Sequence, residues 1–163
     1  MSSIYDYTVP VLARGLTILS TYMDKAAAHA AAQGIDPSEL INARLAPDML
    51  PLSGQIQRAS DTAKASITRL TGVAAPSFPD TETTFPELKE RLANTLAFVE
   101  SVAPAQFEGA EAREVDLRFL KVSGADYPAQ FMLPNFFFHL AIAHGILRQA
   151  GVNIGKKDYL SIA

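Results

Sequence analysis

The chain has 163 residues, 48% apolar and 19% charged, with a net charge of −3 and no cysteine. This is the composition of a packed domain of ordinary size, not of a disordered segment. It excludes disulfides, thiolate nucleophiles and cysteine-built metal sites, and its 14 Lys and Arg are scattered singly, so nucleic acid is not an expected partner.

The opening MSSIYDYTVPVLARG lacks the basic start and apolar run of a signal peptide. No apolar stretch approaches the ~20 residues of a membrane span, so no membrane partner and a cytoplasmic location are expected. A first long helix is predicted over Ile4 to Gln33, with Tyr5, Val9, Leu12, Leu16, Leu19, Met23 and Ala26 in one stripe. Pro10 lies inside that pattern and marks either a start near Thr8 or a kink. Gly34 is its cap. Asp36, Pro37 and Glu39 read as cap, first residue and third-position acid of a short helix. The proline-broken stretch RLAPDMLP follows.

A second long helix covers Leu52 to Leu70, with Leu52, Ile56, Ala59, Ala63, Ile67 and Leu70 on one face. Gln57, Arg58, Asp61, Lys64 and Thr68 form its polar face, and Gly72 ends it. After a proline-rich link, a third helix starts near Pro86 with Thr83 or Thr84 as cap, carries Leu88, Leu92, Leu96 and Val99, and ends near Val102. Residues 111–122 alternate in part, with Val115, Leu117 and Phe119 on one side, and read as a short strand or hairpin. The fourth helix opens at Tyr127 or Pro128, starts or bends at Pro134, and runs to Ala150 before a polar tail. Four helices with one apolar stripe each must share a core. The expected fold is therefore all-α, a four-helix bundle with a small irregular or hairpin insertion before the last helix, in one domain over 1–163.

The last helix carries the sharpest candidate. At ~100° per residue, His139 falls with Asn135, Phe136, Ile142, Ala143 and Ile146 on the apolar face, while His144 falls opposite with Phe137 and Arg148. A core imidazole is hydrogen-bonded, metal-bound or neutral, so His139 reads either as a ligand or general base, or as a satisfied core residue. Five residues place His139 and His144 ~140° apart, which opposes one ion bridging both. His29 reads as solvated. Asp61, with Arg58 and Lys64 at i, i+3, reads as an exposed ion-paired face or, together with Gln57, as a cavity lining. Asp48 closes a proline-bounded turn or serves as an oxygen ligand. The outward Phe137 is explained by packing under the 102–126 connection or by a dimer contact. No P-loop, dinucleotide fingerprint, nucleophile elbow or EF-hand loop is present.

YDYTVPVLARGL, NARLAPDMLPLSGQIQRASDTAK and LPNFFFHLAIAHGILRQAGV together resemble a branch of uncharacterised bacterial proteins in the DinB/YfiT-like superfamily. The resemblance implies up-down-down-up topology, often a homodimer, and a divalent-metal site of one histidine on the second helix and an HxxxH pair on the last. The 71–84 link, ~40 Å when extended, is long enough for the required crossover. The second helix here has no histidine, and Ala143 stands four residues after His139. The expectation is a bundle without the three-histidine site, acting as a small-ligand-binding or structural protein. The alternative is a metal-dependent hydrolase or transferase in which His139 is joined by Asn135, Asp61, Gln57 or Asp48, a set suited to an oxygen-preferring divalent metal.

Overall fold

The structure, a computed structural model, describes residues 3–162. Helix α1 (Ile4–Gln33) begins well before Pro10, not near Thr8, because a capping box forms upstream. Ser3 Oγ accepts from the Asp6 N–H, and the Asp6 carboxylate accepts from the Ser3 N–H at 2.8 Å. Pro10 therefore sits inside the helix, removing one backbone donor without ending it. Gly34, at φ 65°, closes α1 in the left-handed conformation that glycine adopts without penalty. Helix α2 (Pro37–Ile41) starts on Asp36, whose carboxylate accepts from the Ser38 N–H at 2.9 Å.

Helix α3 (Leu52–Thr71) and helix α4 (Phe85–Glu100) follow, the latter with a Thr84/Glu87 capping box. Strands β1 (Glu114–Asp116) and β2 (Lys121–Ser123) pair antiparallel with Val115 opposite Val122. Val115 and Leu117 are buried, but Phe119 is 75% exposed. It does not share their side because the chain leaves the strand at Asp116 and turns through Arg118 at φ 69°. Gly124 lets the returning strand pass the Ala110 carbonyl, which a Cβ would meet at 1.8 Å.

A π-helical turn, Pro128–Met132, leads into helix α5 (Leu133–Gln149). The Leu133 N–H reaches back five residues to the Pro128 carbonyl. This wider turn precedes Pro134, which has no N–H to continue an ordinary ladder. The chain end is not a polar tail. Val152 and Ile154 are buried, and helix α6 (Lys156–Leu160) docks back on the bundle.

Side-chain pairings give the directions of the helices. Asp24 near the end of α1 meets Lys89 near the start of α4, so these two are antiparallel. Gly15 and Tyr22 of α1 meet Phe136 and His144 of α5 in rising order, so these are parallel. Gln55, Thr62 and Ser66 of α3 meet His139, Asn135 and Tyr127 in falling order. The order is up-down-down-up, and the 72–84 segment makes the crossover. It runs back along α3: Lys64 donates to the Pro76 carbonyl, Arg58 pairs with Asp80, and Gln57 donates to Glu82.

The core gathers Leu12, Leu16, Leu19, Leu52, Ile56, Ile67, Leu88, Phe136 and Leu140, all fully buried. Thirteen of the twenty residues of α3 are buried, which makes it the central helix. Counted from Pro128, the last helix reaches 22 residues at mean hydropathy 1.2, so by length and composition alone it could span a membrane. This differs from the expectation of no such stretch. Its inner residues Phe136, Leu140, Ala143 and Leu147 are core residues of the bundle.

Candidate functional site

Gln55, Thr62 and Ser66 recur along α3 at seven- and four-residue spacing, which aligns them on one ridge. That ridge faces α5 and the turn before it. Gln55 Oε1 lies 2.8 Å from His139 Nδ1, Asn135 Nδ2 donates to Thr62 Oγ1 at 2.8 Å, and Ser66 Oγ lies 2.9 Å from the Tyr127 hydroxyl. A row of polar pairs thus runs down the α3–α5 seam beside the apolar core.

The amide of Gln55 is oriented by its own NH2, which donates to the Leu50 carbonyl at 3.0 Å. Its Oε1 is left for His139 and can only accept, so His139 carries its proton on Nδ1. Nε2 is then a bare acceptor, with no protein partner among the described residues. Burial pushes the His139 pKa down to about 4, and the Arg58 charge adds to this. The imidazole is neutral at pH 7.

His144 does not face away from the protein. Its Nδ1 lies 2.6 Å from the hydroxyl of Tyr22, which is fully buried, and Tyr159 of α6 packs edge-on against the ring. Burial raises the Tyr22 pKa, aided by Asp158 and Tyr159, so the phenol stays protonated. Helix α5 packs against both α3 and α1, and its inner arc is wide. The two histidines sit on opposite flanks of that arc instead of one inside and one outside. Phe137 is half-buried against Phe136 and Tyr159, not under the 102–126 connection. His29 is half-buried beside Gly151.

The polar face of α3 is not a solvated surface either, because the crossover lies over it. Arg91 of α4, 3% exposed, donates to Ser60 Oγ, the Pro79 carbonyl, Glu82 and Asp61, and its Nη1 lies 3.0 Å from Asp80. Asp61 is half-exposed and also lies 3.1 Å from Arg58 and 3.3 Å from Lys64, whose side chain is buried. Burial disfavours the Glu82 carboxylate, but hydrogen bonds from Arg91 and Gln57 outweigh it and hold its pKa below the usual range. This network clamps the crossover to α3 and α4.

The five residues singled out from sequence therefore separate. His139 and Asn135 share the α3–α5 seam. Asp61 and Gln57 belong to the crossover clamp on another face of α3. Asp48 is exposed, in a turn closed by the Met49 N–H on the Ala46 carbonyl at 3.0 Å. Gln55, Thr62, Tyr22 and Arg91 were not singled out. The signal for the first two was their spacing beside the leucine stripe of α3. Nothing local marks Arg91, which only the crossover buries.

On the last helix the pair at HxxxH spacing is Asn135 and His139, and α3 sets Gln55 against it. One imidazole and two amides supply no anionic ligand, and Arg58 adds positive potential. Among the described residues no three His, Asp or Glu side chains converge on a metal position. These donors do not fit the three-histidine set.

Residues 4–160 match the family described as a domain of unknown function, DUF1993. The chain is also similar to a crystallised DinB family member protein from Shewanella denitrificans, with 39% identity over 96% of this chain and 90% of that one, and a TM-score of 0.91. No curated protein matches the sequence.

Proposed function

From the chain's membership of the DUF1993 family, a DinB-like family of helical bundles, we propose that this protein binds a small molecule in place of a divalent metal. The observation that carries the reading is the α3–α5 seam. Gln55, Asn135 and Thr62 are engaged in hydrogen bonds within the seam, and the one imidazole among them is neutral beside Arg58. Such a seam can hold and orient a polar molecule, but it offers a dication no charge.

A second reading has one specific support. His139 donates Nδ1–H to Gln55 and leaves Nε2 bare, the arrangement in which metal-ligating and general-base histidines are held. In that reading the protein is a metal-dependent hydrolase or transferase with a modified site, and Asn135 supplies an oxygen.

Thermal unfolding across a titration of zinc, nickel and manganese separates the two. The metal-independent reading predicts no saturable rise in Tm, for the wild type or for His139→Ala. A saturable rise that His139→Ala abolishes establishes the second. A cytoplasmic location and a homodimer complete the proposal. Phe138, Leu45 and Leu50 are exposed apolar side chains available to a second copy.

A further inference from the structure

Between α3 and the crossover lies an open groove of about 710 Å³, lined by Ala65, Thr68, Arg69, Ala75 and Phe78 with Lys64 at its base. Lys64 is committed: it donates to the Pro76 carbonyl at 3.2 Å, lies 3.3 Å from Asp61, and sits 4.1 Å above the Phe78 ring. Arg69 is not committed in this way. Its Nη1 donates to the Tyr127 hydroxyl at 3.0 Å, and its guanidinium rests 5.7 Å from the Tyr127 ring and 6.0 Å from that of Phe131. Among the described residues it has no carboxylate within 4.0 Å.

Tyr127 is itself fully buried and held by Ser66, so the arginine leans on a fixed support. Arg69 thus lines one end of the groove, its guanidinium steadied against Tyr127 and keeping N–H donors that no carboxylate among the described residues takes up. An apolar wall of Ala74, Ala75, Pro76 and Phe78 runs beside it. At the other end the Asp61 charge is shared by Arg58, Lys64 and Arg91.

We propose that this groove binds a small carboxylate with an apolar body, the carboxylate on the Arg69 fork and the body against Phe78 and Ala65. A guanidinium matches a carboxylate in two parallel hydrogen bonds, and the wall covers the remainder of the molecule. One uncommitted cation suits a monoanion. The groove lies on a different face of α3 from the α3–α5 seam, so this is a second small-molecule site and stands apart from that reading.

Benzoate is the probe, with benzyl alcohol and benzylamine as neutral and cationic counterparts, followed by backbone amide shifts in the NMR spectrum of the whole chain. Benzoate is expected to bind saturably, to shift amides between 64 and 78, and to outbind both counterparts. Arg69→Gln is expected to weaken it by about tenfold or more, the loss of one charge-assisted pair. Ala65→Leu, which narrows the groove and leaves Arg69 in place, weakens it as well. Unchanged amide shifts outside the groove show that each variant is folded. The proposal is overturned if benzoate does not bind at about 10 mM, an ample concentration for so small a ligand. It is equally overturned if benzyl alcohol binds as well, if the shifts lie elsewhere, or if folded Arg69→Gln retains the affinity. Those results leave the metal reading untouched, since that is decided by the metal titration.

Discussion

At the scale of single residues, two buried polar groups make opposite predictions. Arg91 is held by three carboxylates and two neutral acceptors, Ser60 Oγ and the Pro79 carbonyl. Arg91→Ala leaves the half-buried Glu82 and its companions without the buried cation that joins them, so chemical denaturation should show a loss of about 3 kcal/mol. Thr8 is fully buried and its hydroxyl has no partner among the described residues. Thr8→Val removes that desolvated group at nearly constant volume and should raise stability by about 1 kcal/mol in the same assay. His139 ties residue to solution conditions. The unfolded chain takes up a proton near its ordinary pKa of 6.5, while the folded chain refuses it until about 4. Stability conferred by the neutral ring is complete above pH 6.5 and is lost as the pH falls through that window. The gap in unfolding free energy between wild type and His139→Gln should shrink there by up to about 1 kcal/mol per pH unit, below the full linkage slope because the ring is partly open to solvent. A gap independent of pH contradicts the burial of that ring.

At the scale of elements, α1 and α5 approach closely at Gly15, where a Cβ would meet Phe136 Cε1 at 2.3 Å. Phe136 is fully buried and has nowhere to retreat, so Gly15→Ala should cost about 1–3 kcal/mol of overpacking, read as a lowered denaturation midpoint. Most elements were legible from local chemistry. The caps at Asp36, Thr84 and Gly34 and the prolines at 37 and 86 place helix ends because each answers to backbone donors within one turn. What a helix faces was less legible. A two-sided division of α3 into apolar and polar halves fails because α3 is covered on several sides, by α1, α4, α5 and the crossover. The polar ridge of Gln55, Thr62 and Ser66 is thus interior, and Lys64 and Arg91 are buried by the crossover, whose contacts with them lie 9 to 12 residues away, beyond the reach of one helical turn. The candidate site shows the same limit. The i, i+4 relation of Asn135 to His139 is local and readable; the partner Gln55, 84 residues away, is not. Pro10 also misleads on its own, since the Ser3–Asp6 box nucleates α1 ahead of it.

At the scale of the whole molecule, the bundle consists of one up helix, two parallel down helices joined by a clamped crossover, and an up helix whose flanks each carry a histidine. Its outer surface leaves Phe138 52% exposed on an outward face of α5. If a second copy covers this face, light scattering of Phe138→Ser should give a smaller mass than wild type; an unchanged mass places the interface elsewhere. The central claim is that the seam between α3 and α5 keeps the bundle and discards the metal. Elemental analysis of untagged protein, purified without chelator, tests it most directly. The account predicts zinc, nickel, manganese and iron far below one atom per chain, and a stoichiometric content of any one of them, lost in His139→Ala, would contradict it.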